Sequence, residues 1–220
     1  MSKTSLHLLV ALALASGWTH ASDLVQFPKG PAAWTVAISP SALHPGEPSA
    51  KPSPTQLLRL NVTQNEKARQ IDLSHANGAT SQKLLIVATN YILVKHSNGI
   101  VVGYPNSGEF GSAYEVPFQE LAFSWIVAKS LFEDRPVLHG GKKCYHYKGT
   151  VRNAEADNPD DSEHPRFGKH AVEAWIDSET LLPVALDDGV SLATYTFLPP
   201  PYPAVTIPTD FQATFNRLSR

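Results

Sequence analysis

The sequence predicts a mainly β, α+β domain: an antiparallel sheet with one main helix packed across it. Three observations carry that expectation. Most segments alternate with period two, as in Trp34, Val36 and Ile38 set against Thr35 and Ala37, the rhythm of a strand with one buried face. Three pairs, Asn77-Gly78, Asn98-Gly99 and Asp188-Gly189, each sit between β-rich runs and supply the positive φ angles that tight hairpins demand. Consecutive hairpins give an antiparallel meander rather than a parallel sheet with crossover helices.

Taken from the N-terminus, the first residues predict export. Lys3 gives a positive start, residues 6–15 form an apolar run, and Thr19-His20-Ala21 puts small residues at the −3 and −1 positions of a cleavage site. That is the pattern of a secretory signal peptide over residues 1–21. The run is roughly half the length of a membrane-spanning helix, and no later run is long enough, so no transmembrane anchor is expected. No cysteine follows the run to accept a lipid. Residues 22–220 then form a single β-rich domain, periplasmic or secreted after cleavage near Ala21. It retains one cysteine, Cys144, which cannot close an intramolecular disulfide and reads as a small buried hydrophobe in a strand.

Trp34 to Ile38 is the first strand. Residues 39–55 (SPSALHPGEPSAKPSPT) hold five prolines, cannot supply a ladder of N–H donors, and read as a proline-rich loop. Leu58, Leu60 and Val62 alternate with Arg59, Asn61 and Thr63 as the next strand. Residues 83–96 (KLLIVATNYILVKH) are apolar on both faces, so both faces are covered by a second packed layer or one lines an apolar cavity. Residues 117–133 have helical rhythm: Phe118, Leu121, Ala122, Trp125, Ala128 and Phe132 recur at spacings of three and four. Residues 154–167 (AEADNPDDSEHPRF) are a polar, acidic loop, and the prolines at 199–201 and 203 separate one strand from the last.

Chemistry is sparse. With 18 basic and 20 acidic side chains the formal charge is −2, which argues against a general nucleic-acid binder. There is no G-x-S-x-G elbow, H-E-x-x-H, Walker loop or dinucleotide glycine fingerprint, and no cofactor is expected. Cys144 and His146 share a strand face with His139 nearby, but a fourth ligand for a structural metal is missing, and no metal site is assigned. The acidic loop lacks the ligand spacing of a calcium loop. Asp177-Ser178-Glu179-Thr180 reads as a turn rather than a catalytic carboxylate pair, so a hydrolase is the third reading.

The C-terminal third carries a pattern. A strand over Lys142-Lys143-Cys144-Tyr145-His146-Tyr147 is followed by Ala174-Trp175-Ile176-Asp177-Ser178-Glu179-Thr180-Leu181-Leu182-Pro183-Val184, then Tyr195-Thr196-Phe197 and Ile207-Pro208-Thr209-Asp210-Phe211. This order resembles the later strands of bacterial periplasmic proteins of the lipoprotein-sorting carrier type, including the related envelope-stress sensor. The resemblance implies a strongly curved antiparallel sheet, a half-barrel or incomplete barrel, with helices, here the main helix, packed on its concave face and an apolar cavity between. Unlike those carriers, which open with a helix, this chain is proline-rich and strand-like over residues 22–54.

The leading expectation is therefore a non-enzymatic exported protein that binds an acyl chain or lipoprotein in a half-barrel cavity. Tyr91, Leu93, Trp125, Trp175, Tyr195 and Phe197 are the candidate ligand contacts. The alternative is an envelope interaction protein with a filled core, meeting a protein partner through edge strands and the proline-rich loop.

Overall fold

A computed structural model describes residues 24–41, 43, 57–86, 91–95, 98–105, 120–126, 131–132, 135–152 and 169–218. The export segment 1–21, the acidic loop 154–167 and most of the proline-rich loop lie outside them. Twelve strands form one sheet: β1 (Ala32–Pro40), β2 (Leu57–Gln64), β3 (Ala68–His75), β4 (Thr80–Ile86), β5 (Tyr91–Lys95), β6 (Val101–Pro105), β7 (Leu131–Phe132), β8 (Val137–His139), β9 (Lys142–Arg152), β10 (Lys169–Asp177), β11 (Pro183–Asp187) and β12 (Ser191–Phe197). Their order is β6-β5-β4-β3-β2-β1-β12-β11-β10-β9-β7, with β8 beside β7 on the same edge of β9. Two meanders are thus joined by one long-range pairing, β1 to β12, which sets Trp34 opposite Phe197 and Val36 opposite Tyr195. Every pairing is antiparallel, and the end strands β6 and β7 do not meet. The sheet is an open half-barrel.

All three hairpin pairs make the turns expected of them. Gly78, Gly99 and Gly189 have φ between +79° and +83°, and the residue before each caps the turn. Asn77 Oδ1 accepts from Ala79 N, Asn98 Oδ1 from Ile100 N, and Asp188 Oδ1 from Val190 N, at 2.9–3.0 Å. One register shift, between Leu57 and Arg59, displaces Leu58, which is exposed while Leu60 and Val62 are buried.

Two expectations need correction. Residues 117–133 are not one helix: Glu120–Phe123 is a single 3-10 turn, and Leu131–Phe132 is strand β7, opposite Lys148 and Tyr147 of β9. An unpaired edge of β9 gives those residues backbone partners that a helix's last turn cannot. The residues after the proline cluster are not a strand either. Thr209–Leu218 is an α-helix, α1, the longest helix among the described residues. Pro208 lies just before it, Asp210 and Arg217 complement the helix dipole at its two ends, and Phe211, Phe215 and Leu218 fall on one face.

Helix α1 packs on Tyr91, Leu93 and Val101 of β5 and β6, on the face opposite the main core. Lys95 pairs with Asp210, and Thr214 Oγ1 donates to the Val101 carbonyl at 3.3 Å. This explains why β5 is apolar on both sides: Ile92 and Val94 face the main core, and Leu93 faces the helix. The chain reaches α1 by crossing the sheet from β12. Leu198 N donates to the Ala33 carbonyl of β1, and Thr206 N donates to Gln70 Oε1 of β3.

Gly103 makes room for α1, because a Cβ there would collide with Leu218 Cδ1 and crowd Leu93. Gly103→Val is expected to cost about 1–3 kcal/mol in urea unfolding, as overpacking does, and Leu218→Ala in the same chain is expected to recover part of it. Equal stability of the single and double variants would show that the contact does not set the helix position.

Candidate functional site

Alternation and register place one residue in two on a common face. Trp34 and Val36 of β1, Leu60 and Val62 of β2, Ile71 and Leu73 of β3, Ile92 and Val94 of β5, Ala174 and Ile176 of β10, and Tyr195 of β12 form one apolar surface. Among the described residues it is covered by two short pieces of chain. Val25 and Phe27 come from the segment before β1, Phe123 comes from the 3-10 turn, and Ile126 lies three residues beyond it.

Phe27 sits at the centre of the cover. Its ring centroid lies 5.9 Å from that of Trp34, 6.0 Å from Phe123, 6.2 Å from Tyr195 and 6.3 Å from Phe197. Phe123 also meets Tyr195 at 5.8 Å. Trp125, in the same segment as Phe123, lies on the backbone of β9: a Cβ at Gly149 would stand 2.7 Å from two of its ring carbons.

Two buried polar side chains hold the first cover in place. Gln64 and Arg69 follow the alternation of their strands onto the core face, and both are at least nine-tenths buried. Arg69 Nε donates to Gln64 Oε1 at 2.9 Å. Gln64 Nε2 in turn donates to the carbonyls of Pro28 and of Gly30, the latter at 2.7 Å. The Arg69 guanidinium lies 5.3 Å from the centroid of the Trp34 ring, in cation–π range. The indole N–H of Trp34 is buried and has no hydrogen-bond partner among the described residues. Burial, and then the charge of Asp188, push the Tyr195 phenol well above its ordinary value, so it is neutral at any physiological pH.

The six candidate contacts divide between the two faces. Tyr195, Phe197 and Trp125 belong to the core face, beside the aromatic cluster. Tyr91 and Leu93 are on the other face under α1, and Trp175 is on that face too, stacked on His139 and His146. Phe27, Trp34, Gln64, Arg69 and Phe123 share the core face, and none of them is among the six candidate contacts. The i, i+2 steps from Val62 to Gln64 and from Ile71 back to Arg69 were the available signal for two of them.

Among the described residues no group of three His, Cys, Asp or Glu side chains is placed to hold a metal ion. Asp177 is a turn residue, as expected: its Oδ1 accepts from Glu179 N and Thr180 N at 2.9 and 3.0 Å. Cys144 is fully buried, and burial raises its thiol above the ordinary range, which makes it a poor nucleophile. No described helix is long and apolar enough to cross a membrane.

No family model and no curated protein matches the chain. Solved structures do. The lipoprotein LppX of Mycobacterium tuberculosis aligns with 80% of this chain and 88% of its own, at 11% identity and a TM-score of 0.41. LprF of Mycobacterium bovis aligns over 83% and 90%, at 16% identity and 0.36. An outer membrane lipoprotein-sorting protein domain from Vibrio parahaemolyticus aligns over 91% and 95%, at 13% identity and 0.30.

Proposed function

We propose that this protein is an exported, non-enzymatic carrier that takes an apolar ligand, an acyl chain or the acylated end of a lipoprotein, on the core face beneath the two covers. The observation that carries this reading is the unpartnered indole N–H of Trp34, buried in an apolar interior beside the guanidinium of Arg69. Leaving such a donor unpaired costs about 1–3 kcal/mol. An acyl ligand brings what the site lacks, a carbonyl or carboxyl oxygen at the head of an apolar chain.

Entry of the chain displaces Phe27 and Phe123. Both come from short irregular segments, and their movement leaves the strand pairings intact. Burial of the ligand then contributes roughly 25 cal/mol for each Å² of apolar surface removed from water. Arg69 and Gln64 link the head of the site to the first cover, because the same Gln64 amide that receives the Arg69 N–H holds the carbonyls of Pro28 and Gly30. The signal-like residues 1–21 support a location outside the cytoplasm, and the resemblance of the C-terminal strands supports an acylated protein as cargo.

Native mass spectrometry of protein from its own envelope fraction, followed by organic extraction, is expected to give a reproducible acyl or lipid mass. With delipidated protein, dodecanoate is expected to displace bound N-phenyl-naphthylamine, and Trp34→Phe to weaken that displacement by about threefold to tenfold. A clean apo mass together with no dye uptake would overturn the reading. The packing of Phe27 against four aromatic rings would then favour a filled-core envelope interaction protein.

A further inference from the structure

The opposite face carries a cluster that ligand binding does not use. His139 ends β8, His146 lies in β9, and both imidazoles stack on Trp175 of β10. Ring centroids are 4.3 and 4.6 Å from that of Trp175, with interplanar angles of 20° and 16°. His146 Nε2 is 2.7 Å from Glu173 Oε2. The register accounts for the arrangement: Trp175 is opposite His146 across β9–β10, and His139 is opposite Lys142 across β8–β9. The His139–Trp175 contact therefore reaches across β9 and ties β8 to a strand with which it does not pair.

That tie matters because β8 is weakly held. It is three residues long, it pairs only with β9 among the described residues, and its Leu138 is 75% exposed. We propose that the His139–Trp175–His146 stack is a proton-operated latch: with His139 neutral it fastens β8 across β9, and protonation of His139 beside His146 releases β8 and bares the edge of β9.

The charged and titratable neighbours are few. On β8 His139 stands alone, with exposed Arg135 preceding the strand. From β9 come Lys142, Cys144, His146 and Lys148, from β10 come Glu173 and Asp177, and from β11 comes the buried Asp187 opposite Glu173. Lys142 Nζ is 3.6 Å from Asp177 Oδ2. Burial opposes the Asp177 charge, but N–H donation from Thr180 and Glu179 outweighs it and, with Lys142, holds the carboxyl below its ordinary value. The Cys144 thiol is pushed the other way. Neither group changes charge between about pH 5 and 7.

His139 does. Burial first, then repulsion from His146, hold its imidazole below the ordinary value. Once β8 is released, that imidazole returns to about 6.5, so the open state binds the proton more tightly than the latched one. Stability of the latch is complete above that value, falls as the pH drops through it, and reaches its floor below the latched value.

Hydrogen exchange of the whole chain, corrected for intrinsic rates, is the direct test. Protection of residues 137–144 is expected to fall by about tenfold for each pH unit separating the two His139 values between pH 7.5 and pH 5, with the Trp175 indole N–H resonance following the His139 titration by NMR. His139→Phe keeps a stacked ring without a proton site and is expected to abolish the pH dependence. The latch is refuted if His139→Phe loses protection as the parent does. It is equally refuted if parent His139 titrates like a free imidazole, or if residues 137–144 stay protected at pH 5; the last two readings need no variant.

Discussion

Replacing Phe123 with alanine is expected to lower the unfolding free energy by about 3–5 kcal/mol and to increase uptake of an apolar dye. The two effects have opposite meanings for a core residue and for a cover, and this side chain is both. It is fully buried, and it touches Phe27 and Tyr195 from a 3-10 turn only four residues long. So short a turn has little stability of its own, and the ring is what anchors it to the sheet. Removing the ring leaves an apolar space between Phe27 and Tyr195 of the kind that stays dry and admits small apolar molecules. Urea unfolding gives the first number and dye titration the second. A large loss of stability with unchanged dye uptake would make Phe123 a plain core residue and take away the entry route proposed for the ligand. A loss below about 1 kcal/mol would mean that the turn collapses onto Tyr195 without the ring.

Phe123 also shows where the residues spoke and where they did not. The spacing of Phe118, Leu121, Ala122, Trp125 and Phe132 obeys a helical period, and Phe123 and Ile126 lie off that stripe. Yet among the described residues of the segment Phe123 and Ile126 are buried, while Ala122 and Trp125 are only partly so. A period computed over 17 residues assumes one conformation throughout. Here a turn and a strand share the segment, because the edge of β9 competes for Leu131 and Phe132 through backbone hydrogen bonds that side-chain periodicity does not register.

The sheet was legible for the complementary reason. Alternation and Asn-Gly or Asp-Gly turns are local signals, and each hairpin satisfies its own hydrogen bonds without help from distant chain. The β1–β12 pairing joins residues more than 150 positions apart and has no local signature. Without it, the face of a given strand is defined only relative to its neighbours. This is why Tyr91, Leu93 and Trp175 were grouped with Tyr195 although they project from the other side. Gln64 and Arg69 were readable in principle, since both continue an apolar alternation. A polar residue at a core position breaks the pattern that marks a core, and only the carbonyls of Pro28 and Gly30 explain why Gln64 is there.

Phe211→Asp is expected to detach helix α1 and to cost several kcal/mol, since a core phenylalanine lost to alanine already costs about 3–5 and an unpaired buried charge adds to that. The loss should be unevenly distributed. Phe211 is the fully buried residue of the helix, and with Phe215 and Leu218 it covers Leu93, Tyr91 and Val101. Without that cover, β5 and β6 have one buried face instead of two, at the end of the sheet where β6 pairs with no further strand among the described residues. Hydrogen exchange should therefore rise in residues 91–105 and remain near parent levels in β9 to β12, whose pairings do not involve the helix. The same variant separates two roles of the C-terminal chain. If the strap over β1 and β3 holds on its own, the amides of Leu198 and Thr206 stay protected after the helix is lost, because their acceptors, the Ala33 carbonyl and Gln70 Oε1, belong to strands that remain. If those amides open together with residues 91–105, strap and helix form one cooperative unit and the helix is what fastens the strap across the sheet. Uniform opening of all twelve strands would instead make α1 part of a single folding unit with the core on the other face, and the distinction between an anchored half and a clasped half of the sheet would fall.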